Sequence, residues 1–383
     1  MDLEEPHVET LVVHGGAGVD PQTGAVVEPI IMSTTFERDP DGGHSRGYFY
    51  SKAGNPNQSS LERTVATLER GAGGVAYASG SAAVLAALSI AGQGGHVLVP
   101  DDVFQGTIRL LRLSLSRWGI RFSTVDMTDS AAVRTALEPD TRLVWAEGLS
   151  NPLLKVTDIA QVAEIAHEHG ALCAVDNTFV TPVFQQPVRA GADFVLHSAT
   201  KYLAGHADVL AGVLVVAETS LLDQLRTLQW IEGATPSPFD CWLTARGLKT
   251  LPVRMHAHAD HAAEVAAFLE QHPAIDWVRY PGRPSHPQHE LAKEVMSGFG
   301  GILSFTIRGG ADIATRVAAR TRYFVNATSF GAPESLIQHV ASAPTHGSGH
   351  LPDNVLRLSV GLEHPDDLIA DLDQALDVVT QRA

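Results

Sequence analysis

The chain is poor in several features, and each absence excludes a class of protein. Its 383 residues include only Cys173 and Cys241, too few for a disulfide scaffold; we expect buried thiols in a reducing compartment, or less plausibly one disulfide. Lysine and arginine number 27 against 43 acidic residues, and a net charge of −16 disfavours nucleic acid and anionic membranes as partners. No apolar run would span a bilayer, and the acidic start MDLEEPHVET is unlike a secretory signal. These absences predict a cytoplasmic, soluble, globular protein.

Two kinds of segment alternate between about residue 60 and residue 216. Helical patterns include residues 158–170, ended by Gly170, and residues 59–70, for which Ser59 or Ser60 is the expected N-cap. Short apolar runs typical of buried strands occupy residues 96–100, 121–126, 142–147, 171–176 and 193–198. This alternation predicts an α/β fold with a mainly parallel sheet flanked by helices, and ligands bind such sheets beyond the carboxyl ends of the strands.

The rest of the chain predicts an arm and a second, smaller domain. Residues 1–55 are punctuated by glycine and proline with little periodicity, as is typical of an arm that packs on another subunit. A long helical pattern at residues 254–272 leads into segments typical of a small α+β domain. We therefore predict an N-terminal arm at 1–55, an α/β domain at 56–250 and a C-terminal α+β domain at 251–383.

One lysine, Lys201, stands inside the stretch GADFVLHSATKYLAGHADVLAGVLVV, which otherwise has the pattern of buried sheet. An amine at a strand end among small residues is partly desolvated, which lowers its pKa and makes it nucleophilic. Such an amine forms Schiff bases with carbonyl compounds, including pyridoxal phosphate. The alternative is an ordinary lysine whose ammonium group reaches solvent.

Two further features suit a site for pyridoxal phosphate. Asp176 ends a predicted strand, where its carboxylate could pair with a pyridinium nitrogen, although aspartate is also common as a turn cap. In YASGSAAVLAAL, Gly80 and Ser81 open a small-residue helix whose N–H groups and dipole could face a phosphate. Ser198 and Thr200 could add hydroxyl donors. Each feature also has a structural explanation, so each is a weak indication when taken alone.

Taken in order along nearly the whole chain, a series of segments resembles the Cys/Met-metabolism family of pyridoxal-phosphate (PLP) enzymes. This family includes cystathionine γ-synthases, cystathionine and methionine γ-lyases and homoserine sulfhydrylases. The segments are EPIIMSTTF, YFYSKAGNPN, YASGSAA, DDVFQGTIRLL, NPLLKVTDI, AVDNTF, HSATKYLAGHADVLAG, PSPFDCWLTARGLKTL and LRLSVGLE. The resemblance implies a fold-type-I PLP enzyme that binds its cofactor in the α/β domain.

The resemblance implies roles for particular residues in cofactor binding. Lys201 would bind PLP covalently and move protons, and Asp176 would pair with the pyridine nitrogen. Tyr50 and Lys52 would reach the phosphate from a neighbouring subunit, which implies a homo-oligomer, a dimer at least and a tetramer by expectation. The other residues implied to hold the cofactor are Gly80, Ser81, Phe104, Ser198 and Thr200.

The resemblance also implies a site for an amino-acid substrate. Arg357 would bind the α-carboxylate, although from the residues alone it could be a surface arginine on the outer face of a strand at 356–360, whose Leu356, Leu358 and Val360 alternate inward. Asn151 would lie on the phenol side of the cofactor. The other residues implied to contact substrate are Arg109, Thr328 and Ser329.

Three positions depart from the family pattern. Phe104, which we expect in the catalytic site, replaces a tyrosine that stacks on the cofactor and takes part in proton transfer. Lys52 replaces an arginine, so a point charge stands where the family has a planar fork. Thr328 replaces a glutamate that suits the distal ammonium of cystathionine. The absence of this glutamate puts cystathionine in doubt as the substrate.

The expected function is γ-elimination on a sulfur-containing amino acid of methionine or cystathionine type, giving a 2-oxo acid, ammonia and a thiol. γ-Replacement on a homoserine ester, as in a cystathionine γ-synthase or O-acylhomoserine sulfhydrylase, uses the same groups and stays open. A PLP-binding protein without catalysis is a third alternative. We expect no metal site, because the histidines at 256, 258, 261, 286 and 289 lack zinc-binding spacing.

Overall fold

The computed structural model describes residues 6–16, 18–342 and 352–380. The α-helices in these ranges are α1 Val8–His14, α2 Pro56–Glu69, α3 Gly80–Ser89, α4 Gln105–Arg109, α5 Ser130–Ala136, α6 Ile159–Glu168, α7 Thr181–Phe184, α8 Thr219–Glu232, α9 Pro238–Leu248, α10 Leu251–Gln271, α11 His289–Val295, α12 Gly310–Arg320 and α13 Pro365–Thr380. The strands are β1 Gly73–Tyr77, β2 His96–Pro100, β3 Arg121–Val125, β4 Thr141–Glu147, β5 Leu172–Asp176, β6 Phe194–His197, β7 Gly212–Val216, β8 Ile275–Arg279, β9 Ile302–Ile307, β10 Val325–Asn326, β11 Leu336–His339 and β12 Val355–Ser359.

The larger sheet has seven strands in the order β1-β7-β6-β5-β4-β2-β3. Strands β6, β5, β4, β2 and β3 run parallel, whereas β7 is antiparallel to both of its neighbours. The five apolar runs of the sequence form β2 to β6, so the predicted mainly parallel sheet is confirmed. Because parallel strands have their carboxyl ends at one edge, the residues that follow β2, β4, β5 and β6 come together there.

Helices cover both faces of this sheet, and the alternation of strand side chains divides its core in two. Val175 of β5 packs with α2 and α6 on one face, together with Leu61 and Val162. Ala174, its neighbour in β5, packs with α3 and α8 on the other face, together with Leu225. Asp176 therefore projects from the α3 face of the sheet, because side chains along a strand alternate with a period of two.

The stretch at residues 191–216 differs from the continuous buried sheet that its composition favours. Strand β6 ends at His197 and β7 begins at Gly212, so Lys201 lies in the connection between them. Thr200 closes this connection, since its hydroxyl accepts from the Ala211 N–H at 3.1 Å. The chain reverses direction here, and the reversal places Lys201 just beyond the carboxyl edge of the sheet.

Helix α2 does not begin where the sequence analysis placed its start. The N-cap is Asn55, whose side-chain oxygen accepts from the Asn57 N–H at 2.9 Å, and Pro56 is the first helical residue. The expected N-cap at Ser59 or Ser60 is wrong, because both serines lie inside the helix. Proline has no N–H to leave unsatisfied and its φ suits a first turn, so the Asn-Pro pair forms the stronger start signal.

The second sheet has five strands in the order β10-β11-β12-β9-β8 and packs against α10, α12 and α13. Leu356, Leu358 and Val360 point into this core, as their alternation predicted. Helix α10 begins at Leu251, and we propose residue 250 as the boundary between the two domains. None of the helices in the described part of the chain combines the length and hydropathy that a bilayer crossing requires.

Candidate active site

A cavity of about 680 Å³ lies at the carboxyl edge of the large sheet, where residues of the second sheet also line it. It brings together most of the residues that the sequence analysis selected. Those that line it are Gly80, Ser81, Phe104, Asn151, Asp176, Ser198, Thr200, Lys201, Thr328, Ser329 and Arg357. Tyr50, Lys52 and Arg109 are not among the lining residues of this chain.

Lys201 is a partly buried amine with a specific partner. Its Nζ donates to Ser329 Oγ at 2.6 Å and lies 5.1 Å from the centre of the Phe330 ring. Burial, with a smaller contribution from the charge of Arg357, lowers the pKa of Lys201 to about 8. The alternative of a lysine with its head in solvent is therefore wrong, and a fraction of the amine is neutral and nucleophilic near neutral pH.

Arg357 is buried, with 8% of its surface exposed, so the surface-arginine alternative is wrong. Its Nη1 donates to Asn151 Oδ1 at 3.0 Å, and its Nη2 donates to Ser329 O at 3.0 Å and to Gln338 Oε1 at 2.6 Å. Burial lowers the pKa of Arg357 to about 10, which leaves the guanidinium charged at neutral pH. A fixed, charged guanidinium of this kind suits a carboxylate ligand.

Asp176 shares the edge of the sheet with a second carboxyl group that the sequence analysis missed. Glu147 ends β4 directly opposite Asp176 in register, and its Oε1 accepts from the Phe104 N–H at 2.9 Å. Asp176 accepts from the N–H and the hydroxyl of Thr178. Burial raises the pKa of both carboxyl groups, and the nearby Asp176 raises that of Glu147 further. Glu147 stands at a strand end as Asp176 does, and that signal could have identified it.

A third carboxyl group, Asp102, follows β2 and also lines the cavity. It accepts a hydrogen bond from the Ser150 hydroxyl. Burial raises the pKa of Asp102 to about 6 despite this hydrogen bond and the nearby Lys155. The sequence analysis missed this residue too, although the pair of aspartates directly after β2 marks the same edge of the sheet.

The start of α3 has the geometry of a phosphate cradle. Ser79 caps the helix by accepting from the Ala82 N–H at 3.2 Å, and the first-turn N–H groups of a helix have no acceptor within it. A Cβ added to Gly80 would lie 2.8 Å from Ser198 Oγ, so a side chain there would fill the space between the two segments. With the hydroxyl of Thr200 nearby in the lining, this set of donors fits a phosphate group.

The remaining predicted residues occupy different positions. Phe104 lines the cavity and remains 41% exposed, directly before α4. Tyr50 is exposed and pairs with Thr35 in the arm, and Lys52 Nζ lies 5.9 Å from the centre of the Trp230 ring. Arg109 is exposed at the end of α4 and lies outside the cavity lining, so its contact with substrate stays a prediction.

The histidines and cysteines have structural surroundings. His258 and His261 of α10 lie with Nδ1 at 2.8 Å from Val360 O and at 3.1 Å from Gly361 O, which joins the helix to the end of the second sheet. Cys173 and Cys241 are buried free thiols. In the residues that the structure describes, no three histidine, cysteine, aspartate or glutamate side chains are grouped as a metal site would require.

PLP requires a nucleophilic amine, an anion beside its ring nitrogen and donors for its phosphate, and residues of one sheet edge supply all three. The class of protein is therefore that of the PLP-dependent enzymes. The family model described as Cys/Met metabolism PLP-dependent enzyme matches residues 9–377, and the chain belongs to this family.

Relatives of two reaction types are similar to the chain over almost its whole length. It is 46% identical over 373 residues to cystathionine gamma-synthase of Mycobacterium tuberculosis (strain ATCC 25618 / H37Rv), and this match covers 96% of each chain. It is 43% identical over 377 residues to cystathionine gamma-lyase of Bacillus subtilis (strain 168), covering 96% of this chain and 99% of the other. The crystal structure of metB from Corynebacterium glutamicum matches with a TM-score of 0.96 at 39% identity, covering 99% and 100% of the two chains. The predicted family and fold are confirmed.

Proposed function

We propose that this enzyme catalyses PLP-dependent γ-elimination on a sulfur-containing amino acid, releasing a 2-oxo acid, ammonia and a thiol. The observation that carries the proposal is the contact of Lys201 and Arg357 with the same residue, Ser329, at 2.6 Å and 3.0 Å. A proton-transferring amine thus lies close to a guanidinium that can hold the substrate's carboxylate. Thr328, a neutral residue in the lining, offers no charge for a distal ammonium, which favours a methionine-type substrate over cystathionine.

Each residue has a limited task in this proposal. Arg357, oriented by Asn151, binds the α-carboxylate and fixes the substrate's α-carbon in the cavity. Lys201 Nζ would take the proton from the α-carbon and pass it on, so that the neutral amine could then take a second proton from the β-carbon. The thiolate would then leave from the γ-carbon and take up a proton to give the thiol. Asp176 would hold a proton on the pyridine nitrogen, and PLP, when bound, would supply the electron sink for negative charge at these carbons.

A second candidate is γ-replacement, in which a thiol displaces the γ-substituent of an O-acylhomoserine. The identity of 46% to a cystathionine gamma-synthase supports it, since a gamma-lyase is similar at 43%. Both reactions use the same amine, guanidinium and carboxylate. The two reactions differ in what adds to the substrate after the leaving group departs. The added thiol is therefore the reactant to vary in the test.

We also propose that the active sites are shared between subunits of a cytoplasmic homodimer, two of which form a tetramer. Tyr50 and Lys52 stand outside their own cavity, in an arm with little core of its own. Apolar side chains exposed on this arm and on α8 favour a covering subunit: Val26, Val27, Met32, Trp230 and Ile231. Mixing a Tyr50→Ala variant with a Lys201→Ala variant should restore part of the activity through hybrid dimers, and no recovery despite subunit exchange would contradict shared sites.

The deciding experiment is an assay of the purified, PLP-loaded enzyme against methionine, cystathionine, cysteine and an O-acylhomoserine, each with and without added thiol. We expect 2-oxo acid and ammonia from methionine without thiol. Product formation only from the O-acylhomoserine with thiol would replace elimination by γ-replacement. A PLP-loaded protein that turns over none of these compounds would support the catalytically silent alternative.

A further inference from the structure

In the described part of the chain, every oxygen that receives a hydrogen bond from Arg357 belongs to a neutral group. These oxygens are Asn151 Oδ1, Ser329 O and Gln338 Oε1, at 3.0, 3.0 and 2.6 Å. Within residues 6–16, 18–342 and 352–380, no carboxylate forms an ion pair with Arg357. The guanidinium is thus oriented by its neighbours while its positive charge is left without a counter-charge.

The Nε of Arg357 adds a second observation. It is buried and has no hydrogen-bond partner among the residues that the structure describes. Arg254, the other buried arginine that neutral oxygens hold, differs in this respect, because its Nε, Nη1 and Nη2 all have acceptors. The hydrogen bonds of Arg254 are thus those of a structural residue. Arg357 instead retains a donor, its Nε, that an anionic ligand could use.

Gln338 has the shortest of the three contacts, and sheet register places it there. Strands β11 and β12 are antiparallel, and Gln338 stands directly opposite Arg357 in the pairing. Side chains opposite each other on one face of such a pair lie close enough to interact. A glutamate at this position would present a carboxylate to the same Nη2 and would neutralise Arg357 before any substrate arrived.

The charge of Arg357 also acts on Lys201. Lys201 Nζ and Arg357 Cζ lie 5.1 Å and 5.9 Å from the centre of the same ring, that of Phe330. Ser329 contacts both residues, through its hydroxyl and its carbonyl oxygen respectively. The uncompensated charge of the Arg357 guanidinium disfavours a second positive charge on the nearby Lys201. It therefore favours the neutral Lys201 amine, which is the reactive form.

We propose that Gln338 is a positioning residue that orients Arg357 without neutralising it, so that Arg357 can receive the substrate's carboxylate and keep Lys201 reactive. The part that concerns the carboxylate rests on the proposed amino-acid substrate. The part that concerns Lys201 depends on this chain's own residues alone.

The test compares Gln338→Glu, which adds a charge at nearly constant shape, with Gln338→Met, which removes the acceptor and adds no charge. Gln161→Glu is the matched control, because it makes the same change of charge at an exposed position on α6, away from the cavity. In the cofactor-free proteins, the pH dependence of Lys201 acetylation by acetic anhydride, followed by peptide mass spectrometry, reports the ionisation of the amine. Calorimetric titration with butanoate reports carboxylate binding, and kcat and KM are measured on the PLP-loaded enzymes.

We expect Gln338→Glu to raise the Lys201 labelling midpoint by about one pH unit and to weaken butanoate binding and raise KM by about tenfold, with a smaller effect on kcat. Gln338→Met should leave the midpoint close to that of wild type. A midpoint unchanged in Gln338→Glu, or shifted equally in Gln338→Met or Gln161→Glu, would overturn the proposal.

If Gln338→Glu does not fold, Asn151→Asp provides the same test by placing a carboxylate against Nη1 from the other side of Arg357. It should raise the midpoint as well, and an unchanged midpoint there would overturn the proposal. The labelling result needs neither turnover nor a known substrate. A shifted midpoint in an enzyme that turns over none of the amino acids would support the role of Gln338 and count against the proposed function alone.

Discussion

Two groups of ionisable side chains in the cavity lining arise in different ways. The acidic edge consists of Asp102, Glu147 and Asp176, which follow or end β2, β4 and β5, three neighbouring strands of one sheet. The cationic cluster consists of Lys201, from the connection after β6, and Arg357, from β12 of the second sheet. One group depends on strand order within a sheet, and the other depends on the packing of two sheets.

Burial favours the neutral form of the side chains in both groups, so it shifts the pKa values of acids and bases in opposite directions. It raises the pKa of the three carboxyl groups and lowers the pKa of Lys201 and Arg357. The partners differ, however, since N–H and O–H donors face the carboxyl groups, whereas neutral oxygens face the cations. In the part of the chain that the structure describes, no ion pair joins the acidic edge to the cationic cluster, which leaves both groups available to a ligand.

The largest expected effect comes from the cationic cluster. Lys201→Ala removes the amine that binds PLP and moves protons, so turnover should fall by about 10³-fold or more. Lys293→Ala, an exposed lysine in an i,i+3 ion pair, is the control and should keep its activity. Full activity in Lys201→Ala, measured as 2-oxo acid release, would end the assignment of this residue.

The acidic edge should give the next largest effect. Asp176→Asn keeps the size of the side chain and removes the anion beside the pyridine nitrogen, so kcat should fall by about 10²–10⁴-fold. Asp312→Asn, at an exposed position on α12, controls for the change in net charge. If the two variants have equal kcat values, the acidic edge does not serve the cofactor.

A smaller effect is expected at Phe104, which the acidic edge holds through the bond from its N–H to Glu147. Phe104→Tyr keeps the stacking area and adds an ionisable hydroxyl beside the cavity. It should raise kcat/KM for methionine more than for an O-acylhomoserine, whose leaving group needs less protonation. An unchanged ratio of the two kcat/KM values would show that Phe104 is only an apolar wall.

The smallest effect concerns stability at Asp102. Its pKa is about 6 in the folded protein against 3.8 ordinarily, so its contribution is fully present below pH 4 and is lost as the pH rises through 6. Asp102→Asn removes this titration and should gain about 1–2 kcal/mol over wild type between pH 4 and pH 7, since Asp102 is only partly buried. Denaturant unfolding at pH 4, 5, 6 and 7 measures the difference, and parallel pH profiles for the two proteins would contradict it.

The sequence by itself determined the layers of the fold and the local setting of most candidate residues. The short apolar runs predicted β2 to β6 and placed Asp176 at a strand end. The expectation of a strand covered on both faces is wrong for β3, which lies at the edge of the sheet and is only partly covered. The apolar surroundings of Lys201 selected it, and the resemblance across nearly the whole chain selected Arg357. The start of α2 was missed although its signal is local, because Asn55 and Pro56 outweigh the serines that follow.

Only the tertiary structure decided which of these residues meet. Glu147 lies beside Asp176 because β4 pairs with β5, and Gln338 faces Arg357 because β11 pairs with β12 in one particular register. Arg357 approaches Lys201 only because the second sheet packs over the edge of the first. Periodicity reports which face of an element is buried, but strand order, register and domain packing depend on contacts between segments far apart in the chain.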